Sequence, residues 1–264
     1  MRTLTLVSAF LLTALVARPE RALSSDQAAA LAAVRQYALD YTAHLPDYTC
    51  IQITKRWTQR TAAAQPVRRD VFEEQVTFSN HKESYQVLTF NGEKAIGVDH
   101  DQITGAVISG EFGRMLYGIF NPQAGTAFQF AGVDKKHGQA MMVFAYQVPQ
   151  PSGMRLSFGP PGPSERAITA AFEGDVHADA GNKRVLRITA KCAGLASDFP
   201  VREVRVALEY KPVMVAGQEY TLPFHSEVHW RDIQTTVKSE IDYTQYRKFV
   251  SDATLKFDSA EPPK

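Results

Sequence analysis

His225, Glu227 and His229 alternate along the run Tyr220 to Trp230, so a strand there projects all three from one face. The set invites a metal ion. Two histidines four residues apart on a strand, however, stand about 13 Å from each other, whereas zinc holds a histidine nitrogen at about 2.0–2.1 Å. The spacing predicts a solvated polar face and no metal site. Asp99-His100-Asp101 places two carboxylates around an imidazole beside Thr104 and Gly105; the repeated aspartates and distal glutamate of a calcium loop are missing, so it reads as a polar hairpin turn. Arg56, Arg60, Arg68 and Arg69 with Trp57 form the most basic stretch, expected as an exposed hairpin loop able to meet anionic headgroups or a partner protein. No Gly-x-Ser-x-Gly, phosphate loop or closely spaced Cys/His set occurs, and none of the seven histidines has a context that selects it. No catalytic residue is assigned and no cofactor is expected. Because triads assemble from distant positions, a hydrolase with a dispersed site stays among the readings, in last place.

The elements that hold these residues are mostly strands. Tyr220, Leu222, Phe224, Val228 and Trp230 fall at period two with polar groups between them, the pattern of a strand with one apolar and one wet face. Val204, Val206, Leu208 and Tyr210 oppose Glu203, Arg205 and Glu209 in the same way, and Val237, Ile241 and Tyr243 oppose Lys238, Glu240 and Asp242. Strands are expected at 50–57, 71–78, 84–90, 94–99, 126–133, 141–148, 154–158, 172–178, 184–190, 201–210, 220–231, 235–246 and 254–257. Asn91-Gly92 is the best two-residue hairpin signal. Turns are expected at 134–138 and 179–182. Before the strands, Ser24 or Ser25 precedes a helical spacing of Leu31, Val34, Ala38, Tyr41 and Leu45, ended by Pro46. A second, short helix over 111–120 carries Phe112, Met115, Leu116 and Phe120 and stops at Asn121-Pro122. Connections this short suit antiparallel pairing. The fold class is therefore mainly β (α+β): long antiparallel strands forming an incomplete, curved barrel around one or two helices.

Met1 to Ser24 has one early charge, Arg2, then an uncharged apolar stretch from Leu4 to Ala17, which is the form of a signal peptide. It is too short to span a bilayer, which takes about 20 apolar residues. Cleavage is expected after Ser24, with Ala17 as second choice, placing the chain in the periplasm or outside the cell. Loss of Arg2, Arg18, Arg21 and Glu20 from 29 basic and 28 acidic residues leaves 26 against 27. That balance gives no electrostatic case for nucleic acid. Residues 25–257 read as one half-barrel domain and 258–264 as a flexible tail. In an oxidising compartment Cys50 and Cys192 can form a disulfide, with two buried thiols as the alternative.

Two local patterns resemble a known family. One is the hairpin Glu173-Gly-Asp-Val-His-Ala-Asp179 with Arg184-Val-Leu-Arg-Ile188. The other combines Tyr220-Thr-Leu-Pro223, Glu227, Glu240-Ile-Asp-Tyr243, Tyr246-Arg-Lys-Phe249 and Leu255-Lys-Phe257. Together they resemble the last third of uncharacterised exported bacterial proteins related to the periplasmic lipoprotein-carrier, or lipoprotein-sorting, superfamily. The resemblance implies an incomplete barrel enclosing an apolar cavity for acyl chains. On that basis Tyr220, Leu222, Phe224, Val228, Trp230, Ile241 and Tyr243 are the candidate cavity wall, and a lipid or acylated ligand is the expected partner. The alternative is a cell-envelope module that holds another protein.

Overall fold

The computed structural model describes residues 22–60, 64–95, 97–98, 100, 103, 113–136, 139–159, 163–192 and 195–249. The expected signal-peptide core, Phe112, Asp99, Asp101, the strand at 254–257 and the tail at 258–264 lie outside the described residues.

Helix α1 (Ser25–His44) begins at a capping box: Ser24 Oγ accepts from the Gln27 amide at 3.3 Å, and Gln27 Oε1 accepts from the Ser24 amide at 3.0 Å. Its buried stripe is Leu31, Val34 and Ala38, the expected spacing. The strands follow as β1 (Tyr48–Gln59), β2 (Val67–Ser79), β3 (Lys82–Phe90) and β4 (Glu93–Lys94). After the short helix α2 (Arg114–Phe120) come β5 (Ala127–Lys136), β6 (Gln139–Val148), β7 (Met154–Phe158), β8 (Arg166–Ala170) and β9 (Phe172–Asp179). The chain continues as β10 (Val185–Cys192), β11 (Val201–Val215), β12 (Gln218–Asp232) and β13 (Thr236–Lys248).

Eleven strands form one antiparallel sheet in the order β4-β3-β2-β1-β13-β12-β11-β10-β9-β6-β5, and β7 and β8 form a separate pair. Among the described residues β4 and β5 are the edges of the sheet, which is not closed. Its curvature has a visible cause. Register shifts interrupt the ladders at Thr49/Ile51, Arg56/Trp57, Glu73/Glu74, Phe130/Gly132 and Glu209/Tyr210, and an extra residue on one strand bends the pair. Turns at Asn80-His81, Asn91-Gly92 and Ala216-Gly217 each have two residues at positive φ, the geometry that matches strand twist in a two-residue hairpin.

The return strand expected over 94–99 is only Glu93–Lys94: Ala95 still donates to the Leu88 carbonyl at 3.0 Å, after which the chain leaves the sheet. Strand β5 runs on to Lys136, so the turn expected from Asp134 starts later. Described residues place the start of α2 at Arg114, after Gly113. Strand β8 is additional to the expected set.

One continuous core joins the α1 stripe and Leu116, Ile119 and Phe120 of α2 to the concave face of the sheet. The Tyr41 ring meets Tyr210 edge-on at 6.5 Å, and the Arg35 guanidinium lies over Phe128 at 5.6 Å. A second, smaller cluster gathers Phe72, Val87 and Ile103, with Phe90, Ala95 and Val98 packed on it.

Candidate functional site

The inner side of β1 begins apolar and becomes polar. Tyr48 and Cys50 are buried, and in the same phase so are Gln52, Thr54 and Arg56. Ile51, Ile53 and Trp57, in the opposite phase, are only half-buried. On β2 the inner phase runs Phe78, Val76, Glu74, Phe72, Asp70, again from apolar to charged. Direct pairing sets Arg56 opposite Asp70 and Gln52 opposite Glu74 on β2. Across the other edge of β1, Arg56 faces Ser239 and Thr54 faces Ile241 on β13, while Ser226 on β12 faces Ile241. Directly paired side chains stand on one face, so these residues share the concave surface.

Arg56 is 1% exposed and Asp70 5%. Its Nε donates to Oδ1 at 2.5 Å and its Nη2 to Oδ2 at 2.7 Å, a bidentate pair, and the guanidinium lies 5.1 Å over the Phe72 ring. Gln52 Nε2 donates to Glu74 Oε2 at 3.1 Å. The other Glu74 oxygen lies 2.7 Å from His100 Nδ1, and the His100 ring stacks on Tyr85 at 4.4 Å. Among the described residues, Gln52 Oε1, Arg56 Nη1, Ser226 Oγ and Ser239 Oγ are buried with no hydrogen-bond partner. Among the described residues neither serine hydroxyl has a general base hydrogen-bonded to it. The group is built to hydrogen-bond.

Arg56 thus departs from its expected place in an exposed basic loop: among the described residues it is the largest fully buried side chain, while Arg60, Arg68 and Arg69 are exposed. The sequence signal that marks this site is Asp70 and Glu74 falling in phase with Phe72, Val76 and Phe78.

The outer face carries the histidine set. His225 Nδ1 lies 2.9 Å from Asp242 Oδ1, Lys238 Nζ donates to Glu240 at 2.8 Å, and Glu227 approaches His225, His229 and Lys238 at 3.7–3.9 Å. The hydrogen bond to Glu240 raises the Lys238 amine above its ordinary range. These groups pair laterally along a solvated face, with the side chains of Glu227 and Asp242 each 41% exposed.

The seven candidate wall residues divide. Leu222, Val228, Ile241 and Tyr243 are buried in the main core, and Tyr220 and Trp230 pack against it. Phe224 does not join them. The register shift on β12 leaves it unpaired between Pro223 and His225, and Lys211, an exposed residue, places its ammonium 5.0 Å over the ring. A separate cleft of ≈ 340 Å³ lies among Gly125, Gln147, Pro149 and Phe172 at the ends of β6 and β9, away from all seven.

Cys50 and Cys192 are free and buried, a correction to the disulfide expectation. Their strands, β1 and β10, are separated by β13, β12 and β11, about 19 Å along the sheet, far beyond disulfide reach. Cys192 Sγ lies 3.8 Å from Met154 Sδ, and burial pushes its thiol up to about 11. Burial likewise holds the Tyr41, Tyr48 and Tyr246 phenols well above their ordinary value, so they remain neutral around the carboxyl-terminal half of α1.

No helix among the described residues is long and apolar enough to cross a membrane. No family model and no curated protein matches the chain. Solved structures do. A candidate outer membrane lipoprotein-sorting protein domain from Vibrio parahaemolyticus is 10% identical over 83% of this chain and 92% of its own, with a TM-score of 0.45. A DUF1329 family protein from Desulfovibrio piger is 8% identical over 83% and 93%, with a TM-score of 0.39. A LolA superfamily protein from Nitrosomonas europaea is 10% identical over 83% and 93%, with a TM-score of 0.31. The chain is thus similar to solved structures that carry the lipoprotein-sorting, DUF1329 and LolA designations.

Proposed function

We propose that this chain is an exported binding protein that holds an acyl-bearing ligand against the concave face of its open half-barrel and performs no chemistry on it. The carrying observation is the polarity of that face. Tyr48, Cys50, Val76 and Phe78 make it apolar on one side of the Gln52–Glu74 pair, Tyr243 stands level with Gln52, and on the other side Arg56, Asp70 and Ser239 are interleaved with Thr54, Phe72 and Ile241. A core serving packing alone satisfies its buried polar atoms, whereas four here lack partners. An amphiphile matches both sides at once: tail toward the tyrosines under α1, polar end toward Arg56. The leader-like Met1 to Ser24 supports export.

The test is native mass spectrometry of the protein purified from its own envelope without detergent. A reproducible adduct of lipid mass is expected. Bare protein that also fails to take up a fluorescent fatty acyl probe removes the ligand-binding reading and returns weight to an envelope interaction module.

A further inference from the structure

The polar end of this face has a composition that selects its ligand. With Nε and Nη2 of Arg56 engaged by Asp70, Nη1 is left pointing at no acceptor in a side chain 1% exposed. Ser239, directly opposite Arg56, is 3% exposed, and Ser226, one diagonal step away on β12, is 0% exposed; both hydroxyls lack partners. Direct neighbours in a sheet have Cβ atoms about 4.5–5.5 Å apart and diagonal ones about 7–8 Å apart. One N–H and two O–H donors with no partner among the described residues therefore stand on the neighbouring strands β1, β13 and β12 of one face.

The charge decides what fits. Asp70 already neutralises Arg56, and Glu74 adds a negative charge that His100 balances only when its imidazole is protonated. Arg69 Nε, 3.8 Å from Asp70, belongs to a side chain 61% exposed and lends little to the interior. Among the described residues the buried group is thus neutral or negative. A phosphate or carboxylate entering it would be desolvated without a compensating cation, which is costly. A carbonyl oxygen accepts the same donors with no charge to bury.

We infer that Arg56, Ser239 and Ser226 form a subsite for a neutral hydrogen-bond acceptor, the ester or amide carbonyl that joins an acyl chain to its headgroup, and that the subsite discriminates against anionic headgroups. This rests on the acyl-ligand reading above and adds the chemistry of the recognised end.

The purified protein is titrated with 1-monooleoylglycerol, oleate and oleoyl lysophosphatidate, which share one tail, by displacement of a fluorescent acyl probe at pH 7.5. Monooleoylglycerol should bind at least about tenfold tighter than either anion. The double substitution Ser226→Ala with Ser239→Ala should weaken it about tenfold, as loss of two neutral hydrogen bonds would, and leave oleate, which has no ester carbonyl, unchanged. Neither hydroxyl has a partner among the described residues, so the variant should melt no lower than wild type; Ser239→Ala alone, read the same way, covers the case in which the double variant folds poorly. Anions binding as tightly as the glyceride, or a glyceride affinity unmoved by the substitutions, overturns the subsite and leaves the acyl-ligand reading standing. No binding of any of the three overturns both.

Discussion

Asp70→Asn isolates the energetics of the buried pair. The substitution keeps the shape of the side chain and removes its charge, leaving the Arg56 cation 1% exposed with no counter-charge at the 2.5 and 2.7 Å contacts. Breaking one partner of a buried ion pair costs about 3–5 kcal/mol. At about 2–4 °C per kcal/mol for a domain of this size, the melting temperature should fall by roughly 6–20 °C. Arg69, a second cation 3.8 Å from the same carboxylate, cannot supply the missing counter-charge. Replacing both partners, R56M with D70L, removes the uncompensated charge and should restore most or all of the stability, since buried pairs exchanged for apolar residues are often neutral or better. Urea unfolding at pH 7, followed by tryptophan fluorescence, reads both variants with one slope if the unfolded states are alike. An Asp70→Asn variant within about 1 kcal/mol of wild type, or a double variant as unstable as the single one, refutes the picture of a dry, paired guanidinium.

Three further outcomes follow from particular contacts. A Cβ at Gly174 would lie 1.9 Å from the Thr189 carbonyl oxygen across the β9/β10 ladder, so Gly174→Ala should destabilise severely, whereas Gly217→Ala, open but at φ +83, should cost only about 1 kcal/mol by thermal melting. With burial holding the Cys192 thiol at about 11, it stays protonated at pH 8; alkylation should label neither cysteine in the native protein and both after unfolding without reductant, and labelling of none after unfolding would mean that the thiols are bridged. A chain starting at Leu23 keeps the Ser24 capping box and one starting at Ser25 does not, so the two should differ by about 1 kcal/mol in calorimetry, the shorter being weaker.

The architecture was readable because β11 from Val204 to Tyr210 and β13 from Ser239 to Tyr243 obey period two, and the α1 stripe of Leu31, Val34 and Ala38 obeys its own period. The polar site was not readable in the same way. On β1 the apolar residues Ile51, Ile53 and Trp57 share one phase, which a periodicity argument turns inward, while the fold buries Gln52, Thr54 and Arg56. Proximity of Arg56 to Arg60, Arg68 and Arg69 in sequence suited a solvated loop, and only the pairing with Asp70 fourteen residues away explains its burial. On β12 the pattern assigned Phe224 to the wall. One extra residue in the β11/β12 ladder places it beside Lys211 instead, and a bulge leaves no periodic trace in a strand that remains apolar on both sides of it.

That inverted phase on β1 also says what holds the register. A slip of one residue would turn Ile51, Ile53 and Trp57 inward and Arg56 outward, which the hydrophobic effect alone favours, so the native pairing must be fixed by contacts that a slipped strand cannot make. The structure supplies two, one toward each end of the strand: the Tyr48 ring stacked on Phe78 at 5.3 Å and the Arg56 fork on Asp70. The register shifts at Thr49/Ile51 and Arg56/Trp57 sit beside them. A polar pair that adds little net stability can still specify one arrangement over another. We therefore expect the R56M and D70L double variant, though stable, to lose that specificity: amide resonances of β1 should split into two sets, one for each phase. A single set at native positions would show that the Tyr48 stack and the neighbouring ladders fix the strand without the buried charge, leaving ligand recognition as the reason for keeping it.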